Sequence, residues 1–136
     1  MALNKAYGQY RENSIFTSSP EDLTLMLYNG LVKFILQAGA HLDESDLSKA
    51  NSSIIRAQDI LSYFRSTLDM KYTVSQGLDS IYEYMYRRLI EANIKKDKDI
   101  LAEMLGYAKE LRDTWTQAMK LAKQQVKQPP QPQVVK

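Results

Sequence analysis

The stretch Ser19-Pro20-Glu21-Asp22-Leu23-Thr24-Leu25-Met26-Leu27-Tyr28-Asn29-Gly30-Leu31-Val32-Lys33-Phe34-Ile35-Leu36 decides how this chain is read. Ser19 can cap the free amides of a helix, and Pro20 suits its first position. Glu21 and Asp22 sit at the positive end of the helix dipole. At about 100° per residue, the apolar side chains that follow sweep an arc of about 220°, twice what a simple amphipathic helix needs. Asn29, Lys33 and Gln37 mark the polar strip. A helix so apolar must bury two surfaces, one in its own core and one against something else. With no cofactor motif in 136 residues, the simplest second surface is another polypeptide.

Working outward, the polar turn Asp43-Glu44-Ser45-Asp46 ends this helix and starts a second. The second helix carries a seam of Leu47, Ala50, Ile54, Ala57, Leu61, Phe64 and Leu68 at 3-4 spacing. After the turn Asp69-Met70-Lys71-Tyr72, a third helix has an expected core line of Val74, Leu78, Ile81, Met85, Leu89 and Ala92. Asn93-Ile94-Lys95-Lys96-Asp97 closes it, with Asp97 placed to cap a fourth. That helix carries Leu101, Met104, Ala108, Leu111, Trp115, Ala118 and Ala122. Short connections make each helix double back on the one before. The expected fold is all-α: an antiparallel four-helix bundle over residues 19–126, its neighbours crossing near 20°. Residues 1–18 form a short N-terminal helix or cap segment, and 127–136 a disordered Pro/Gln-rich tail. A proline-rich ligand role for the tail is a weaker reading than a plain mobile end.

Composition removes several function classes. The 18 basic and 16 acidic residues leave a net charge of +2, too little for the clustered positive face of a nucleic-acid binder. There is no cysteine and a single histidine, His41. Disulfides, thiol catalysis, zinc clusters and histidine-based triads therefore fall away. The Glu-x-x-His pairs of di-iron bundles are missing as well. No cofactor is expected and no enzyme. No unbroken apolar run approaches the roughly 20 residues of a membrane span, and no apolar signal core opens the chain, so a cytoplasmic protein without stable membrane insertion is expected.

Tyrosine is the unusual count: nine, against three phenylalanines and one tryptophan. Tyrosine suits surfaces that are apolar yet meet water. Tyr82, Tyr86 and Ile90 form an i, i+4, i+8 line on one flank of the third helix. Either they pack at a helix–helix border, or they wall a groove with Leu25, Tyr28, Val32 and Leu36 nearby. Glu83 and Glu91 each stand four residues from Arg87, and Arg88 lies beside the core line. In the N-terminal segment, Leu3, Tyr7 and Tyr10 line one side of a helix too short to hold alone. Docked over the exposed strip, with Ile15 following, that segment would shield it until a partner arrives.

Three stretches carry a family resemblance. Ile15-Phe16-Thr17-Ser18-Ser19-Pro20-Glu21-Asp22-Leu23-Thr24-Leu25-Met26-Leu27-Tyr28-Asn29-Gly30 resembles the first long helix of FliS, the bacterial flagellar export chaperone family that binds flagellin. Tyr82-Glu83-Tyr84-Met85-Tyr86-Arg87-Arg88-Leu89-Ile90-Glu91-Ala92-Asn93-Ile94 is similar to that family's Y-x-Y-M-x-R-R-L-x-E-A-N signature. Gly106 through Trp115 resembles its last helix. Ser18 stands where alanine is common and Asn29 where aspartate is frequent, and neither alters the apolar pattern. The resemblance implies a chaperone that holds the C-terminal segment of flagellin in apolar grooves, prevents premature polymerisation, and hands cargo to the cytoplasmic part of the export gate. It also implies that Tyr10 serves cargo-related contacts. Tyr7, Ile15, Leu25, Tyr28, Tyr82 and Tyr86 join Tyr10 as partner-binding candidates from helical geometry, with Val32, Leu36 and Ile90 on the same faces. A cargo-free monomer is expected. The rival is a bundle that self-associates through the same strip.

Overall fold

A computed structural model describes residues 19–127 as four helices and no strand. They are α1 (Pro20–Asp43), α2 (Leu47–Thr67), α3 (Thr73–Lys95) and α4 (Lys98–Lys127). The proposed cap over 1–18 and the tail beyond Lys127 lie outside the described residues.

The helix ends follow their capping residues. The Ser19 hydroxyl accepts from the Asp22 amide at 3.2 Å, with Pro20 in the first turn. Asp46 caps α2 through the Lys49 amide at 3.1 Å. Asp97 caps α4 through the amides of Asp99 and Ile100. At the other ends, Ser45 (φ 59°) and Lys96 (φ 52°) enter the left-handed region. There the Asp46 amide reaches back to the His41 carbonyl, and the Asp97 amide to that of Ala92. Such closures usually fall on glycine.

Contacts order the helices as a closed ring: α1 packs on α2 and α4, and α3 on α2 and α4. Every neighbouring pair is antiparallel. Tyr28 meets Phe64 while Phe34 meets Arg56. Arg65 reaches Asp79 while Asn93 reaches Asn51. Arg88 reaches Glu103 while Tyr84 meets Tyr107. Trp115 reaches Glu21 while Lys98 reaches Asp43. The core holds Leu31, Ile35, Ile54, Leu61, Met85, Leu89 and Met104, all fully buried. At Gly30 a β-carbon would lie 3.2 Å from the Ile60 Cδ1, so α1 and α2 approach closely there. By length and composition α1 could cross a membrane. Here it is a bundle helix whose Leu31, Ile35 and Ala38 are buried.

Three expected seams differ from the structure. In α2 the seam begins at Ala50, because Leu47 in the first turn is 54% exposed. In α3 the core line is Ser75, Leu78, Tyr82, Met85, Leu89 and Ala92, with Leu78 partly buried. Val74 is 67% and Ile81 38% exposed, while Tyr82 is 2% exposed. The aromatic ring turns inward because it stacks on Phe64 at 5.3 Å and its hydroxyl finds that of Tyr28. In α4 the seam stops being covered past Trp115, so Ala118 and Ala122 are exposed. Trp115 already touches the first turn of α1, and residues 118–127 run roughly 15 Å further.

Candidate apolar-groove site

The end of the bundle formed by the start of α1, the end of α2, the start of α3 and the second half of α4 is built from aromatic rings. Tyr28 lies 4.6 Å from Phe64, and Trp115 lies 6.4 Å from Tyr28, centroid to centroid. Flat rings cannot close against one another as alanines do. A groove of about 740 Å³ opens above them, walled by Val74, Leu78 and Ile81 of α3 and by Tyr107, Leu111 and Trp115 of α4. Trp115 is held by its indole N–H, which donates to the Glu21 carbonyl at 3.1 Å. Arg65 and Asp79, 2.8 Å apart, fix the end of α2 to the start of α3. That guanidinium holds the Asp79 carboxyl below the usual carboxylate range.

The floor carries one polar feature. The hydroxyls of Tyr28 and Tyr82 lie 2.5 Å apart. Burial pushes both phenols above their ordinary value. For Tyr82 the bond to Tyr28 adds to the rise, whereas for Tyr28 the bond to Tyr82 offsets part of it. Neither is a proton donor or acceptor for chemistry near neutral pH.

A second groove, of about 780 Å³, runs between the outer faces of α1 and α2. Leu23, Leu27, Phe34, Ile55, Ile60 and Tyr63 supply its apolar lining, with Arg56 and Asp59 at its edge. The Arg56 guanidinium stands 5.7 Å over the Phe34 ring. The sequence reading missed this groove. Its signal was the Ile55 and Tyr63 pair, which shares a row with Asp59 beside the main α2 seam.

The candidates read from sequence are only partly brought together. Tyr28 and Tyr82 meet through the centre and form the floor of the first groove. Val32 is buried in the core, and Leu25 is half-buried. Leu36 is 50% exposed on α1, and Ile90 is 41% exposed on α3. Tyr86 packs partly against the core. It lies on the α3 row between Asp79 and Asn93, both of which reach α2. Of these, Tyr28 and Tyr82 share the first groove, whereas Leu25, Val32, Leu36, Tyr86 and Ile90 line neither groove. Tyr7, Tyr10 and Ile15 lie outside the described residues. Arg88 behaves as its spacing implies, reaching Glu103 of α4 at 3.0 Å. Arg87 pairs with Glu83, while Glu91 turns to Arg88 and Lys95 instead.

Among the described residues no group of three or more His, Asp or Glu side chains could hold a metal ion. The site is a pair of open, largely apolar grooves on an antiparallel bundle, the architecture of a polypeptide-binding helical protein. The family model described as flagellar protein FliS matches residues 3–122, so the chain belongs to the FliS family. It is 43% identical to the flagellar secretion chaperone FliS of Bacillus subtilis, over 88% of this chain and 90% of that protein. It is 27% identical to the FliS chaperone of Salmonella typhimurium, over 83% and 87%. Identity to the Campylobacter jejuni chaperone is also 27%, over 85% and 91%.

Proposed function

We propose that this protein is a cytoplasmic export chaperone that holds the disordered C-terminal segment of flagellin in its apolar grooves. Occupying that segment prevents premature polymerisation and keeps the subunit ready for delivery to the flagellar type III export apparatus, including the cytoplasmic part of its export gate. The observation that carries this reading is the groove between α3 and α4, where Val74 and Ile81 stand exposed over an aromatic floor. An amphipathic segment folding into it would bury those side chains as a helix buries its apolar face. Ordering a disordered segment costs about 2–5 kcal/mol, so both grooves are expected to be used. Tyr7, Tyr10 and Ile15 belong to the same proposal, the N-terminal segment shielding apolar surface until cargo displaces it. The cargo-free protein is a monomer on this reading.

Calorimetric titration with a peptide covering the C-terminal segment of flagellin from the same organism tests it. Tight one-to-one binding with a large negative heat-capacity change is expected. No binding, together with a stable dimer in light scattering, would replace the reading with self-association through the same grooves.

A further inference from the structure

The polar feature on the floor of the first groove has one proton more than it uses. Two phenols carry two O–H donors. The 2.5 Å contact between Tyr28 and Tyr82 uses one of them, whichever ring supplies it. Among the described residues neither hydroxyl makes another hydrogen bond, and both rings are buried. The other hydroxyls lining the groove are differently placed. Thr24 donates to the Pro20 carbonyl, and Thr67 to the carbonyls of Tyr63 and Phe64. Thr114 and Tyr107 are exposed to solvent. Around the tyrosine pair the walls are Phe64, Leu78, Ile81, Leu111 and Trp115. A buried donor in such surroundings costs about 1–3 kcal/mol if unmet.

We propose that the Tyr28–Tyr82 pair is a specificity element: its second O–H donates to a neutral carbonyl oxygen of the segment that fills the groove. The inference rests on the chaperone reading above. The acceptor is an amide oxygen, either an Asn or Gln side chain or a backbone carbonyl released at the end of a helical turn. A carboxylate is disfavoured because Glu110 lines the same groove and like charges repel in a poorly solvated site. The pair therefore rejects a segment that offers only methyl groups at this depth, since its donor would be sealed off unmet. It also sets register, because one acceptor must fall over one point of an otherwise featureless apolar floor.

The pair has a signature in substitution. With Tyr28→Phe or Tyr82→Phe alone, the remaining phenol loses its mutual bond and keeps its proton, which is then free for cargo. The double variant has none. Titrating the full-length protein with the flagellin peptide, each single variant should bind within about twofold of wild type. The double variant should bind about five- to tenfold more weakly, the worth of one neutral hydrogen bond. Thermal melts should show the reverse pattern, with most of the loss already present in either single variant. Equal affinity for the double variant and wild type would overturn the inference while leaving the chaperone reading intact. So would single variants as weak as the double. Absence of binding by wild type would remove both. Should the double variant fail to fold, the tyrosine doublet in difference Raman spectra with a tyrosine-free peptide reads the same bond in a protein carrying Tyr7→Phe, Tyr10→Phe, Tyr63→Phe, Tyr86→Phe and Tyr107→Phe, which removes the other tyrosines that cargo could touch. A shift toward the donor signature on saturation is expected, and an unchanged doublet overturns the inference.

Discussion

The two ends of the bundle are built from different residues and do different work. At the end where α1 and α3 finish, small and aliphatic side chains interlock: Ala38, Ala50, Ile54, Leu89, Ala92 and Met104 are all fully buried. Asn93 ties to Asn51 at 2.6 Å, and Lys98 of α4 pairs with Asp43 of α1. At the opposite end the core is Tyr28, Phe64 and Tyr82, with Trp115 partly buried against them beneath an open groove. Alanine lets helix backbones approach, whereas rings hold them apart and leave surface uncovered. The closed end secures the fold, and the open end has apolar surface left for a partner.

Breaking the closed end should give the largest effect on stability. Leu89→Ala removes a fully buried side chain and leaves a cavity among tightly packed neighbours, so a loss of about 3 kcal/mol is expected in urea unfolding. Val74→Ala at the open end should change stability by less than about 0.5 kcal/mol, because that side chain already meets water. A comparable loss from Val74→Ala would mean that the groove wall is part of the core.

The same contrast predicts binding in the opposite sense. Ile81→Asp puts a charge on the groove wall and should weaken the flagellin peptide about tenfold in calorimetry, with the melting curve little changed. Lys49→Asp, on the exposed face of α2 at the closed end, should leave affinity unchanged. Unimpaired binding by Ile81→Asp would move the cargo to the groove between α1 and α2.

The two ends were also unequally legible in the sequence. Ser19, Pro20 and Asp97 announce helix starts through local chemistry, and the α2 seam from Ala50 to Phe64 is a single period that the structure keeps. The α3 register was misread because Val74 and Ile81 outrank Ser75 and Tyr82 in hydropathy. What turns Tyr82 inward is a hydroxyl on Tyr28, 54 residues away, and no local window contains it. In α4 the 3-4 pattern runs past the first turn of α1, so periodicity alone could not say where burial stops. The site suffered from the same blindness. Tyrosine character marks Tyr28 and Tyr82, while helical angle leaves open whether Leu36 and Ile90 pack at a helix border or wall a groove, and in the structure they line neither groove. Ring order is a tertiary fact, and helical angle within one element does not carry it.

The tyrosine pair makes the open end sensitive to alkali. Burial holds both phenols above their ordinary value of 10.0. Above that pH the unfolded chain releases protons that the folded chain still binds. The stabilisation is therefore whole below pH 10 and declines as pH rises further. The informative quantity is a difference between two proteins that share every other titratable group. Between pH 9 and pH 11, wild type should lose more stability than the Tyr28→Phe, Tyr82→Phe double variant in urea unfolding. Parallel losses would mean that the phenols ionise as freely in the folded protein as in the unfolded chain.

The smallest effect sharpens the contrast from the closed end. Ser45 sits at φ 59° after α1, where the Asp46 amide must reach back to His41 to close the helix. A β-carbon is strained in that region, and glycine is not. Against this, glycine has more freedom to lose on folding, so Ser45→Gly should stabilise the protein by only about 0.5 kcal/mol. The gain should appear as a higher urea midpoint at unchanged slope, with peptide affinity equal to wild type. An altered affinity would show that the two ends are coupled: the turn between α1 and α2 would then help set the spacing of the helices that wall the groove at the far end.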